Sequence, residues 1–148
     1  MQRLRFSTVI NASKEKVWDT MLQDATYRQW TEAFHVGSYF EGTWEKGSTI
    51  KFLAANDNGT LEGMVSRIQE NRPYEFISIE HMGVIKDGKE DVASNEAKKW
   101  AGAQENYTFI PMGEGTQVLV EIDVDEGYIN MFDDMWPKAL QKLKEIVE

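Results

Sequence analysis

The hydrophobic period of this chain changes near Tyr128, and that change limits the folds open to it more than any single motif. Upstream, apolar and polar residues alternate in short runs. In TQVLVEIDV, Thr116, Val118, Val120, Ile122 and Val124 share one face, and Gln117, Glu121 and Asp123 share the other with Leu119 as its apolar exception. That is the two-residue repeat of a strand buried on one side. Downstream, Tyr128, Phe132, Met135, Trp136, Ala139, Leu140, Leu143 and Val147 fall at three- and four-residue steps, the mark of a long amphipathic helix. The turn signals EKGS, NDNGT, ENRP and MGEGT punctuate the alternating part and predict strands near 36–42, 48–55, 60–69, 74–82, 100–110 and 116–125. Asn58-Gly59 is the strongest hairpin signal among them. With LRFSTVI as an opening strand, about seven strands face one long helix, which predicts an α+β chain with an antiparallel sheet curved around that helix.

Between the first strand and the rest lie two short helices. Ser13 makes an N-cap with Glu15 in the first turn, and Val17 with Met21 and Trp18 with Leu22 form one apolar face. Asp24 to Glu32 reads as the second helix, with Tyr27 and Trp30 on its inner side. Trp18 belongs to the core. Pro137 lacks an N–H and interrupts the final helix, which predicts a kink there, with a fresh start capped by Asp134 as the alternative. The polar stretch GVIKDGKEDVASN, residues 83–95, reads as a long loop, a lid or a mobile connection.

Composition removes several classes of function. A formal charge of −9 without a basic cluster argues against nucleic acid and anionic lipid surfaces. There is no cysteine, and His35 and His81 are the only histidines, so thiolate chemistry and a multi-histidine zinc site are out of reach. The acidic Glu121, Asp123, Asp125, Glu126, Asp133 and Asp134 do not follow a calcium-loop pattern and read as a solvated face. Arg67 and Glu62 read as an ordinary surface pair. No Gly-rich phosphate cradle or nucleophile elbow is present, so no cofactor is expected. No apolar run is long enough for a signal peptide or a membrane span, which makes the cytoplasm the default compartment and one domain over 1–148 the expected organisation.

The opening INASKEKVWDTMLQDATYRQW, the stretches GTWEKGSTIKF and GMVSRIQENRPYEF, and the ending MWPKALQKLKEIVE together resemble the START-related helix-grip superfamily, also called SRPBCC or polyketide-cyclase-like. Within it the chain is most similar to the domain named after activators of the heat-shock-protein-90 ATPase. IEHMGVIKDGKED and WAGAQENYTF further resemble a bacterial branch of that family. The resemblance implies a helix-grip fold with a cavity between helix and concave sheet. Its relatives range over lipid carriers, cyclases, dehydratases and co-chaperones, so it specifies fold far better than activity.

Within such a fold the candidate ligand-binding residues are Trp30, Phe34, Tyr39, Trp44, His81, Trp100, Glu105, Tyr107, Phe132, Met135 and Trp136. The aromatics Trp30, Phe34, Tyr39 and Trp44 gather around the short helices and first hairpin, where the cavity mouth lies in relatives. Trp100 follows the long loop and either clamps a ligand or tacks the loop down. Phe132, Met135 and Trp136 sit on the early turns of the last helix, which the resemblance places against the pocket. Core packing is the competing account of every one of these aromatics.

His81 ends the strand YEFISIEHM with Glu80 on the opposite face, and can act as acid or base. Glu105 and Tyr107 share a strand face, and Tyr107 with Phe109 tips that face inward. A carboxylate there needs a partner, either His81 or a ligand.

Three functions compete. The first is binding of a hydrophobic or aromatic small molecule. The second is a cyclase- or dehydratase-type enzyme with His81 or Glu105 moving a proton. The third and weakest is a chaperone-associated regulator, implied by the family name alone. A homodimer is compatible with each.

Overall fold

The computed structural model describes every residue from Met1 to Glu148. Its strands are β1 (Gln2–Ile10), β2 (Tyr39–Gly42), β3 (Thr49–Ala55), β4 (Leu61–Arg72), β5 (Phe76–Lys86), β6 (Lys89–Asp91), β7 (Gln104–Met112) and β8 (Gly115–Val124). Its helices are α1 (Lys14–Leu22), α2 (Asp24–Trp30), α3 (Asn95–Lys98) and α4 (Ile129–Val147), with single 3-10 turns at Thr31–Ala33 and Glu126–Tyr128. All strand pairs are antiparallel. They run in the order β1-β8-β7-β5-β4-β3-β2, with β6 paired to the end of β5. This is the expected α+β helix-grip arrangement, and no helix in it is long and apolar enough to cross a membrane.

Four sequence readings give way. Residues 83–95 are not a long loop: β5 extends to Lys86, turns at Asp87-Gly88, returns as β6, and Asp91 accepts hydrogen bonds from the Ala93 and Ser94 N–H groups before α3. Their polarity reflects a hairpin that overhangs the sheet, so the sheet has eight strands rather than about seven. Trp100 lies in the turn after α3, and the strand predicted over 100–110 starts only at Gln104. Arg67 does not pair with Glu62. It reaches Glu80 across the β4–β5 ladder at 2.7 Å, while Glu62 accepts from Asn56, because cross-strand register brings Arg67 and Glu80 directly opposite. At Pro137, α4 continues unbroken, so Asp134 does not start a new helix.

The break between α1 and α2 leaves carbonyls at the end of α1 without helical partners, since Gln23 is extended with ψ 144°. Two tryptophans supply donors: the Trp30 indole N–H reaches the Met21 carbonyl at 3.0 Å, and that of Trp44 reaches the Leu22 carbonyl at 2.9 Å. Trp18 is core, against Phe109 and Tyr74.

Two bulges shape the β4–β5 ladder. Val65 pairs with Gly83 but Ser66 pairs with His81, so Met82 is an extra residue. Ile68 pairs with Ile79 and Glu70 with Ser78, so Gln69 is another. Such insertions bend the strand and re-aim its side chains. Gly63, with φ +155°, is needed on the same ladder, because a Cβ there would collide with the Phe52 carbonyl oxygen.

Candidate functional site

On the inner face of the sheet, one otherwise aliphatic row is broken at a single position. Leu4, Ile122, Glu105, Ile79 and Ile68 stand side by side across β1, β8, β7, β5 and β4, and Glu105 is the only charged member of that row. As anticipated from Tyr107 and Phe109, the Glu105 face is the inner one; Asn106 faces the other way and accepts from Ser78 at 2.6 Å. A carboxylate so placed is costly unless it is hydrogen-bonded.

It is held from two sides. The Tyr107 hydroxyl donates to Oε2, and His81 Nε2 stands 3.1 Å from Oε1. On its other side, His81 Nδ1 lies 2.7 Å from Ser66 Oγ. The Met82 bulge and two backbone bonds fix this imidazole: His81 N–H donates to the Ala103 carbonyl at 2.8 Å, and Gly102 N–H to the His81 carbonyl at 2.9 Å. The order Ser66–His81–Glu105 looks like a nucleophile triad, but it runs the wrong way for one. Ser66 is fully buried and does not reach open space, whereas Glu105 does.

Above Glu105 is a hollow of about 290 Å³, lined by nineteen residues, thirteen of them hydrophobic. Of the residues expected to line it, Trp30, Phe34, His81, Trp100, Glu105, Tyr107, Phe132 and Trp136 do. Three do not. Trp44 turns its indole to the Leu22 carbonyl and packs on Tyr27, Phe40 and Phe52. Tyr39 lies under the Arg28 guanidinium, 5.1 Å from its ring centre, and borders a shallower groove of about 420 Å³. Met135 is half-buried away from the hollow, one residue off the inward stripe that Phe132 and Trp136 follow.

The sequence reading missed Phe52 and Met64 on alternate positions of β3 and β4, Ile122 and Val124 on β8, and Tyr27, Tyr128 and Met131 on the helical segments. The signals were present, since Tyr128 opens the helical stripe, Met131 stands three residues on from it, and Phe52 and Met64 are directly paired. Tyr27, Ser38, Phe52, Tyr128 and Met131 line both hollow and groove, and therefore form the passage between them. Trp100 packs against Tyr128 at a tilt of 58°, with ring centres 5.0 Å apart, at the same end.

The two phenols at the hollow are both held protonated. Burial first, then the Glu105 charge, holds the Tyr27 phenol far above its ordinary pKa. The Tyr107 phenol is raised in the same way, with Tyr27 and the hydrogen bond to Glu105 adding to the shift. Both stay protonated as donors. The Tyr107 hydroxyl is spent on Glu105, while the Tyr27 hydroxyl has no hydrogen bond within the protein and borders the hollow.

A chain of this topology, with this hollow, is matched over residues 11–148 by the family of activator of Hsp90 ATPase homolog 1-like proteins. The chain belongs to that family. Among solved structures of the same fold, the Aha1 dimer from Colwellia psychrerythraea superposes with a TM-score of 0.73 at 20% identity, covering 100% of this chain and 97% of that one. A protein from Nitrosomonas europaea gives 0.74 at 11% identity, with 98% and 93% covered. CalU16 from Micromonospora echinospora gives 0.68 at 14% identity, with 99% and 74% covered. No curated protein matches this family member in sequence. At such identities the likeness concerns the fold.

Proposed function

We propose that this family member binds an apolar, ring-bearing small molecule in the hollow beneath α4. One observation carries the reading: Glu105 interrupts an aliphatic row to face an aromatic-walled space, with the unpartnered Tyr27 hydroxyl beside it. A residue serving only the core would not be charged there, and a few polar groups converging in an apolar pocket are what small-ligand sites consist of. The volume suits a molecule of two or three fused rings better than an extended lipid chain.

Native mass spectrometry of gently purified protein, followed by denaturation, tests this. A stoichiometric small molecule is expected from the wild type and not from Phe132→Trp, which adds a ring to the wall. Bare mass for the wild type, together with no thermal shift from any member of an aryl-compound panel, would defeat the proposal.

Acid–base catalysis is a second reading, supported by the 3.1 Å contact between His81 and Glu105 at the edge of the hollow. If it holds, His81→Asn keeps affinity for the recovered compound but removes its turnover. Equal loss of binding and turnover favours simple carriage. The family's name also raises a chaperone-associated role, and a neighbour of the same fold is described as a dimer. A pulldown without a chaperone and a monomeric sedimentation coefficient would dismiss both.

A further inference from the structure

We propose that the occupant of the hollow carries a protonated amine, seated against Glu105 with rings along the aromatic walls. This rests on the small-molecule reading above and adds the charge of the ligand to it.

The inference follows from counting protons along the buried chain. Ser66 is fully buried, and its hydroxyl has one partner, His81 Nδ1 at 2.7 Å. The hydroxyl proton can therefore go only to Nδ1, which must then carry a lone pair. That leaves the ring proton on Nε2, pointing at Glu105 Oε1. Were the imidazole doubly protonated, Nδ1–H would occupy the Ser66 oxygen and strand the hydroxyl proton without an acceptor, at the cost of a buried unsatisfied donor. The Ser66 contact thus favours the Nε2–H tautomer, in which His81 donates to Glu105 without cancelling a charge there.

Nothing else lining the hollow cancels it either. None of the nineteen lining residues is lysine or arginine. Asp123, the second acid there, is already matched by Arg3 at 2.9 Å and by the Gln104 N–H at 3.0 Å. The hollow therefore presents one uncompensated carboxylate. Each Glu105 oxygen has one donor, Tyr107 or His81, and a free lone pair remains on each. The Tyr27 hydroxyl oxygen can accept a further N–H. Trp30, Phe34, Trp100, Phe132 and Trp136 add ring quadrupoles that attract a cation and are indifferent to an alcohol. A fatty acid or other anionic amphiphile would put like charges together in a water-poor space.

The test is isothermal titration with matched series of one-, two- and three-ring arylethyl compounds, each as ammonium, alcohol and carboxylate. The ammonium is expected to bind at least about tenfold more tightly than its alcohol, with no measurable binding of the carboxylate. In Glu105→Gln, whose amide can still accept from His81 and donate to Tyr107, the ammonium-to-alcohol ratio falls to about one while the alcohol keeps its affinity. Thermal melts of the variant confirm that it is folded, and Tyr27→Phe gives a smaller reduction of the ratio if Glu105→Gln is not. Alcohol and ammonium binding alike, or the carboxylate binding best, would overturn the charge assignment and leave small-molecule binding standing. Failure of every ring size in every form would overturn the underlying reading and this inference with it.

Discussion

The two halves of α4 face the same sheet and do opposite things. Toward its end, Ala139, Leu140, Leu143 and Val147 are all buried, in one cluster with Val17, Met21, Val118 and Val120. Toward its start, Phe132 and Met131 leave a hollow beneath them. Apolar content does not separate the halves, since both carry large hydrophobic residues at helical spacing. What differs is the opposite wall. Under the second half it is aliphatic and α1 closes the side; under the first it contains Glu105 and His81, whose polar atoms cannot be covered by a packed methyl group without loss. A polar floor keeps a hollow open more reliably than an absence of side chains does.

The largest expected effect breaks this contrast directly. Leu143→Ala should cost about 3 kcal/mol in urea unfolding, as for a fully buried leucine that leaves a cavity, and Phe132→Ala about 1 kcal/mol because its ring already borders open space. Equal costs would mean that the first half is packed as solidly as the second. Next, Ser66→Ala removes the only donor to His81 Nδ1 and should cost about 1–2 kcal/mol. Nitrogen-15 spectra of the imidazole should then lose the Nε2–H preference; unchanged spectra would show that Ser66 does not set the tautomer.

The phenols sharpen the same comparison at high pH. Tyr27 and Tyr107 have folded pKa values above the unfolded one, so they hold their protons more tightly in the folded state. The stability linked to them is intact below the ordinary tyrosine value of about 10 and declines as pH rises above it. Tyr107→Phe should flatten that alkaline decline, read by circular dichroism melts between neutral and alkaline pH. The smallest effect is at Asp123. Burial works against the Asp123 charge, but Arg3 and the Gln104 N–H outweigh it and hold the carboxyl below its ordinary value, so its contribution is present above about pH 4 and fades as pH falls further. Arg3→Ala should still cost only about 1 kcal/mol, as for an ion pair that water still reaches in part.

Period disclosed the sheet and the last helix, because burial on one side forces alternation, while the inward face of Glu105 was disclosed by the aromatic Tyr107 and Phe109 beside it. Period could not disclose β6, whose residues touch water on most sides and so carry no repeat. Nor could it disclose Met82 as a bulge, since an inserted residue looks like any other exposed strand position. The His81–Glu105 contact depends on that insertion, and was accordingly open between a protein partner and a ligand until the register was known. Trp44, Tyr39 and Met135 were misplaced for a related reason: aromatic and sulfur-bearing side chains serve caps and edges as readily as cavities, and only distance separates these uses.

The two indoles that terminate α1 also bear on the order in which the molecule assembles. A helix end capped by its own next residues is complete as soon as it forms. Here the donors come from Trp30 and Trp44, nine and twenty-two positions beyond the carbonyls they serve. The last turn of α1 therefore stays frayed until α2 and the segment leading into β3 have docked. Amide exchange in these three segments should occur as one cooperative opening, with α1 unable to persist as an isolated early helix.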